Sequence, residues 1–187
     1  AGPIRGLVLV GYMMPMSVTA LLGKNLFLLD GGVINDLLMK VHLISSPIDW
    51  LVNGGTALGA VIAVNCWVGI PFNMLLLTSG LTGISTDIYE SASMDGANAF
   101  KRFIYITLPL MKPAMLSVLM LGFIYTFKAF DLMYIMTAGG PFNSTDVLGT
   151  YAYSKAFTQY EFSQGSAIAM VLFACLFLVG IFYLKLL

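Results

Sequence analysis

Charge is scarce in this chain of 187 residues: charged side chains make up 10% of it, against roughly one quarter in soluble domains. Set beside 59% apolar residues, that shortage excludes an ordinary soluble domain and points to an integral membrane protein. A basic excess is missing too. Nine Lys and Arg balance nine Asp and Glu, so there is no polybasic surface for nucleic acid or anionic lipid. The two cysteines, Cys66 and Cys175, lie in apolar segments without CxxC or Cys/His spacing and read as small buried hydrophobes. His42 is the single histidine, on a mixed segment where it reads as a surface residue. The chain has no His/Glu metal spacing, no GxSxG elbow and no clustered acids, which removes support for an intramembrane enzyme. A GxxxxGK phosphate loop is also missing, Gly23-Lys24 lacking its upstream glycine, so a nucleotide must bind elsewhere.

What is abundant is long apolar sequence, enough for about four or five crossings of about 20 residues each. Residues 6–23 carry no charge and hold Pro15 near their centre, which predicts a span kinked near Met14. Residues 24–53 are mixed: Asp30-Gly31-Gly32 reads as a turn, and Ile34, Leu37, Leu38, Val41 and His42 have the spacing of a short interfacial helix. Trp50 has the character of a headgroup-level anchor. A second span is expected over residues 56–77, interrupted by Asn65, Pro71 and Asn73. A third is expected over residues 113–137, ended by Gly139-Gly140-Pro141, then a helix around 147–160 and a fourth span over 162–184. Four crossings put both ends and the Glu90 loop on one side. The bias of Arg5, Lys101, Arg102, Lys112 and Lys185 against Lys24, Lys40 and Lys155 makes that side cytoplasmic.

The loop between the second and third spans carries the most information. Asp87 with Glu90 three residues on suits a helix N-terminus, and Gly96 after Asp95 suits its end, because glycine takes the left-handed conformation. Ser91, Ala92, Ala97 and Ala99 keep the surface low, while Tyr89, Met94 and Phe100 offer anchors for another protein's groove. An interfacial re-entry loop whose acids stay wet accounts for the composition equally well.

Glu90-Ser91-Ala92, Asp95-Gly96-Ala97, Phe100, Ile106 and Leu108-Pro109 resemble the EAA loop of binding-protein-dependent ABC importer permeases. Pro47-Ile48-Asp49-Trp50, Asn65-Cys66-Trp67 with Gly69 and Pro71, Phe130-Asp131-Leu132, and Gly139-Gly140-Pro141 with Tyr151-Ala152-Tyr153 extend the likeness to the carbohydrate branch, and within it to the larger permease subunit of maltose-type importers. Ser91 replaces the usual first alanine and Thr86 a frequent proline, both keeping small or helix-starting chemistry. The resemblance implies an all-α membrane domain over residues 1–187, with N-terminal spans expected to be missing, and a coupling loop over about 80–112. It also implies a coupling helix over about 87–95 seated in an ATP-binding subunit, so ATP and magnesium are expected in partner subunits and no cofactor in this chain. A second permease subunit, two ATP-binding subunits and an extracytoplasmic binding protein are the implied partners, in a prokaryotic inner membrane.

For the translocation path, Asn65, Gly69 and Phe72 fall at i, i+4 and i+7, with Val68 beside them. An amide, bare backbone and an aromatic ring suit a sugar. On the third span Gly122, Thr126 and Ala129 share a face beside Tyr125, positions that match the sugar-lining ones of maltose-type permeases. Close helix packing by small residues is the competing reading of that face. Lys128 and Asp131, three apart, are expected to form a structural ion pair pointing away from Thr126. Were they instead to carry a coupling ion, the chain would be a secondary transporter.

Overall fold

The computed structural model describes residues 2–186, with side-chain surroundings for residues 6 and 8–185; Ala1, Leu187 and the side chain of Arg5, part of the charge-bias count, lie outside them. Every regular element among the described residues is helical. In chain order these are α1 (Gly2–Tyr12), α2 (Met16–Leu26), α3 (Val33–Lys40), α4 (Gly54–Thr82), α5 (Thr86–Met94) and α6 (Ala99–Arg102). A π turn (Phe103–Thr107) leads to α7 (Leu108–Leu110), α8 (Lys112–Phe127), α9 (Asp131–Thr137) and α10 (Leu148–Tyr153), and a second π turn (Ser154–Thr158) precedes α11 (Phe162–Leu186). Two helices, Gly54–Thr82 and Phe162–Lys185, are long and apolar enough to cross a membrane unbroken. The pair Ala99–Leu110 and Lys112–Phe127, bent by 62°, would make a third.

Two of the four expected crossings therefore differ from expectation. The first does not kink at Pro15 but stops and restarts. Proline disfavours helix in the residue before it, and Pro15 sits in extended geometry (φ −57°, ψ 141°) ahead of α2. The third ends at Phe127 and resumes at Asp131, with Lys128, Ala129 and Phe130 between the helices. By contrast α4 runs unbroken through Pro71 for 29 residues, about 43 Å at 1.5 Å per residue, more than the roughly 30 Å hydrocarbon thickness.

Helix α4 is the axis on which the rest is hung, with α1, α2, α8 and α9 all packed along it. Toward its N-terminal end Ala60, Val61 and Val64 meet Ala20 of α2, Phe27 just after it, and Leu132, Met133 and Met136 of α9 in the buried core. Small residues set the closeness: a Cβ on Gly23 would lie 2.8 Å from Val64 Cγ2. At the other end of α4, a Cβ on Gly80 would lie 2.6 Å from Ala114 Cβ and 3.1 Å from Met111 Sδ, so the bend between α7 and α8 is seated directly on that glycine.

Two irregular segments gather near the α4 N-terminus. In residues 24–53 the organising side chain is Asn35, wholly buried. Its Nδ2 donates to the carbonyls of Leu28 (3.1 Å), Leu29 (3.3 Å) and Ile48 (2.9 Å). Its Oδ1 accepts from the Ile48 amide (3.1 Å) and the Trp50 indole (2.8 Å). Trp50 is thus a half-buried core-side partner, edge-on to Phe27 at 5.8 Å. Helix α3 ends before His42, which is exposed with φ 58°. In residues 138–147, buried Thr145 bonds to Thr137 Oγ1 (2.6 Å) and the Gly140 carbonyl (2.8 Å), and neighbouring Ser144 lies against Gly54.

Candidate functional site

Two regions carry the sequence-derived candidates: the α5–α8 elbow and a cavity between α4 and α8. At the elbow, α5 begins one residue earlier than expected and its cap is Ser85, whose Oγ accepts from the Asp87 amide at 3.3 Å. Asp87 is not the cap. It lies in the first turn, where a carboxylate still suits the positive end of the helix dipole. The helix closes as predicted at Gly96, φ +76°. The Ala97 amide reaches the Ala92 carbonyl (2.9 Å) and the Gly96 amide the Ser93 carbonyl (3.1 Å), the paired bonds of a Schellman ending. Asn98 then caps α6 by accepting from the Lys101 amide at 2.9 Å.

Of the three proposed anchors, Met94 (89% exposed) and Phe100 (72% exposed) project outward. Tyr89 is half-buried and directs its hydroxyl inward to Thr107 Oγ1 at 2.9 Å. Glu90, Ser91, Asp95 and Gly96 are exposed, while Ala92 and Ala97 are half-buried. The elbow therefore offers a low polar ridge flanked by two bare apolar side chains.

The π turn after α6 has a local cause. Pro109 has no amide hydrogen, and its ring would crowd the carbonyl four residues back in a regular helix. A wider turn relieves that crowding, and the Leu108 amide bonds to the Phe103 carbonyl, five residues back. The helix then resumes and bends at buried Met111.

Between α4 and α8 lies a cavity of about 680 Å³. All eight residues assigned to the path from sequence line it: Asn65, Val68, Gly69 and Phe72 from α4, and Gly122, Tyr125, Thr126 and Ala129 from α8 and its end. Among the described residues Gly122 meets no atom within 4 Å where its Cβ would stand, so this glycine borders open space and is not a close contact with another of these helices. Asn65 Nδ2 lies 3.5 Å from Thr126 Oγ1, the outer limit of a hydrogen bond, leaving both groups capacity for a ligand. Phe72 stacks on Tyr12 of α1 at 6.0 Å and meets Tyr125 edge-on at 5.5 Å. This aromatic trio ties α1, α4 and α8 together along one wall.

Three features of this wall escaped the sequence reading. Tyr12 comes from the segment before the Pro15 break. Asn73, eight residues after Asn65, lines the same cavity, and its helical spacing was a usable signal. Cys66 is exposed on this wall and free, while Cys175 is free and half-buried, so neither is fully buried as expected. The Lys128–Asp131 pair does not form either: the helix ends at Phe127, before both, and the ion pair among the described residues is Lys155–Glu161 at 3.0 Å. Lys128 Nζ instead sits 5.1 Å from the Tyr125 ring centroid. Both charges line the cavity with Thr126 rather than facing away from it. Among the described residues no group of three His, Cys, Asp or Glu could hold a metal ion.

Comparison with known proteins places this geometry. The chain is 32% identical over 181 residues to a probable ABC transporter permease of Brucella suis biovar 1, covering 97% of this chain and 63% of that protein. It is 34% identical over 184 residues to the trehalose/maltose transport system permease protein MalF of Thermococcus litoralis, covering 98% of this chain and 61% of the relative. The chain thus spans about three fifths of the length of these curated relatives. Its fold matches a crystal structure of a bacterial alginate ABC transporter in complex with an alginate pentasaccharide-bound periplasmic protein, with a TM-score of 0.85 at 19% identity, over 97% of this chain and 63% of that one. Over residues 2–187 the sequence matches the binding-protein-dependent transport system inner membrane component, and the chain belongs to that family of ABC transporter permeases.

Proposed function

We propose that this chain forms the core of one permease subunit of an ATP-driven importer for a sugar, oligosaccharide or related polyol, in a prokaryotic inner membrane. The observation that carries the reading is the cavity, where an amide, a hydroxyl, bare glycine backbone and three aromatic rings converge between α4 and α8. Amide and hydroxyl groups exchange hydrogen bonds with sugar hydroxyls, and ring faces cover the apolar C–H face of a pyranose. The trehalose/maltose name of one relative and the oligosaccharide in the structural neighbour's title support a carbohydrate.

A companion permease completes the path, and two ATP-binding subunits, carrying ATP and magnesium, receive the ridge from Glu90 to Ala97 between Met94 and Phe100. The elbow and both ends of the chain face the cytoplasm. On the opposite side an extracytoplasmic binding protein delivers cargo to the segments 24–53 and 139–164. Closure of the ATP-binding subunits draws the ridges together and turns the cavity outward as cargo is released. Family membership favours this reading over an ion-coupled one resting on Lys128 and Asp131.

The test is reconstitution of the full-length permease with its companion, ATPases and binding protein in liposomes, with labelled trehalose and maltose as first probes. Uptake that needs ATP and survives collapse of all ion gradients supports the proposal; uptake that follows a gradient without ATP overturns it. In the same assay Asn65→Ala shifts the preference among sugars while ATP hydrolysis without cargo persists.

A further inference from the structure

The coupling reading leaves open how a push on α5 reaches α8, since a two-turn helix ending in a glycine turn is free to hinge. The polar contacts of the elbow close that freedom. Tyr89 OH meets Thr107 Oγ1 at 2.9 Å, and Thr107 Oγ1 also approaches the Arg102 carbonyl at 3.4 Å. The Arg102 guanidinium donates to Ser93 Oγ at 2.8 Å, and Ser93 Oγ donates back to the Tyr89 carbonyl at 2.7 Å. The path returns to its starting residue. It joins α5, α6 and the π turn, and it bypasses Gly96 altogether.

The register of Thr107 depends on the π turn. One extra residue in that turn rotates everything beyond it by about 100° relative to a regular helix, and it is from this wider turn that Thr107 meets the Tyr89 hydroxyl. The arrangement also explains why Tyr89 turns inward while Met94 and Phe100 stay bare.

We propose that Tyr89, Ser93, Arg102 and Thr107 are positioning residues that lock α5 to the α6–α8 arm, so that movement of the docked helix is transmitted and not absorbed at the glycine turn. The proposal rests on the coupling role given to the elbow above. The two contacts of Thr107 are part-buried and the two of Ser93 exposed, and a docked subunit that excludes solvent would strengthen the exposed pair.

The experiment measures labelled sugar taken up per ATP hydrolysed in reconstituted full-length assemblies, with co-purification of the ATPase as the assembly control. Thr107→Val keeps the side-chain shape and removes the hydroxyl; it is expected to leave assembly intact and lower sugar per ATP roughly two- to ten-fold, the range that one net hydrogen bond represents. Thr107→Ser restores the hydroxyl and the ratio. Tyr89→Phe lowers the ratio similarly, and the double variant falls no further than either single one, since both break the same link. An unchanged ratio in Thr107→Val, or losses that multiply in the double variant, overturns the lock. Failure of the wild-type assembly to place an ATPase within crosslinking reach of Met94 overturns the coupling reading itself and is told apart by that control.

Discussion

Gly96 and Gly122 are both glycines for reasons a side chain would expose, and the reasons differ. Gly96 holds φ at +76° with open space around it, so the penalty for substitution lies in the backbone alone, about 1 kcal/mol or more for a β-branched residue. Gly96→Asn, which tolerates the left-handed region, is therefore expected to keep most sugar uptake, while Gly96→Val loses it with the protein still membrane-inserted; equal uptake by the two would contradict the assignment. Gly122 has an ordinary helical backbone and faces the cavity. Gly122→Ala is expected to leave uptake near normal, and Gly122→Leu, filling the void between Asn65 and Tyr125, to reduce sugar uptake at least ten-fold, a difference of about 1.4 kcal/mol, without lowering thermal stability. The stripe of Asn65, Gly69 and Phe72 was legible because helical spacing persists through α4. The fate of Lys128 and Asp131 was not. Their spacing says that they pair only if the helix continues, and no local signal announced that it stops after Phe127.

Helices here are held together by close approach rather than by a large apolar core, as expected where lipid is as apolar as leucine. The contacts Gly23 to Val64, Gly80 to Ala114 and Gly165 to Ala156 each leave less than 3.0 Å for an added Cβ. Gly80→Val is expected to force α4 from the elbow and shorten the half-life of the detergent-solubilised complex, whereas Gly59→Ala, with nothing within 4 Å, leaves it unchanged. A thermal inactivation series on both variants decides the point. Sequence placed the ends of α5 and α11 to within two residues, because charge or a glycine marks them, but its second span stopped at residue 77, short of the Thr82 end of α4. It expected only a kink at Pro15, where the span in fact splits, while the span expected to run through Pro71 does so. Both remove one helical hydrogen bond, but Pro71 is buried along α4 between packed neighbours, support that no window of sequence displays.

The molecule as a unit is apolar outside as well as inside. Phe173, Phe177, Leu178 and Phe182 of α11 are all more than half exposed, and α11 touches the bundle mainly through α10 and its π turn, with Ser117 Oγ and Tyr183 OH 3.0 Å apart as a polar link to α8. Such a face suits lipid. A charge introduced within it, Val171→Glu, is expected to lower the amount of protein recovered in the membrane fraction by blot, while leaving any residual protein normally coupled. The membrane class was legible from composition and its helices from the long apolar runs; the bend at Met111 was not, because it is seated on Gly80 of a distant segment.

The 62° turn at Met111 works like a bell crank. Its long arm from Lys112 to Thr126 measures about 21 Å at 1.5 Å per residue. A pivot of only about five degrees about Gly80 would carry the Thr126 hydroxyl sideways by about 2 Å and lengthen its contact with Asn65 to about 4 Å, past the limit of a hydrogen bond. A tilt too small to disturb the packing at the fulcrum is enough to unfasten one side of the chamber from the other.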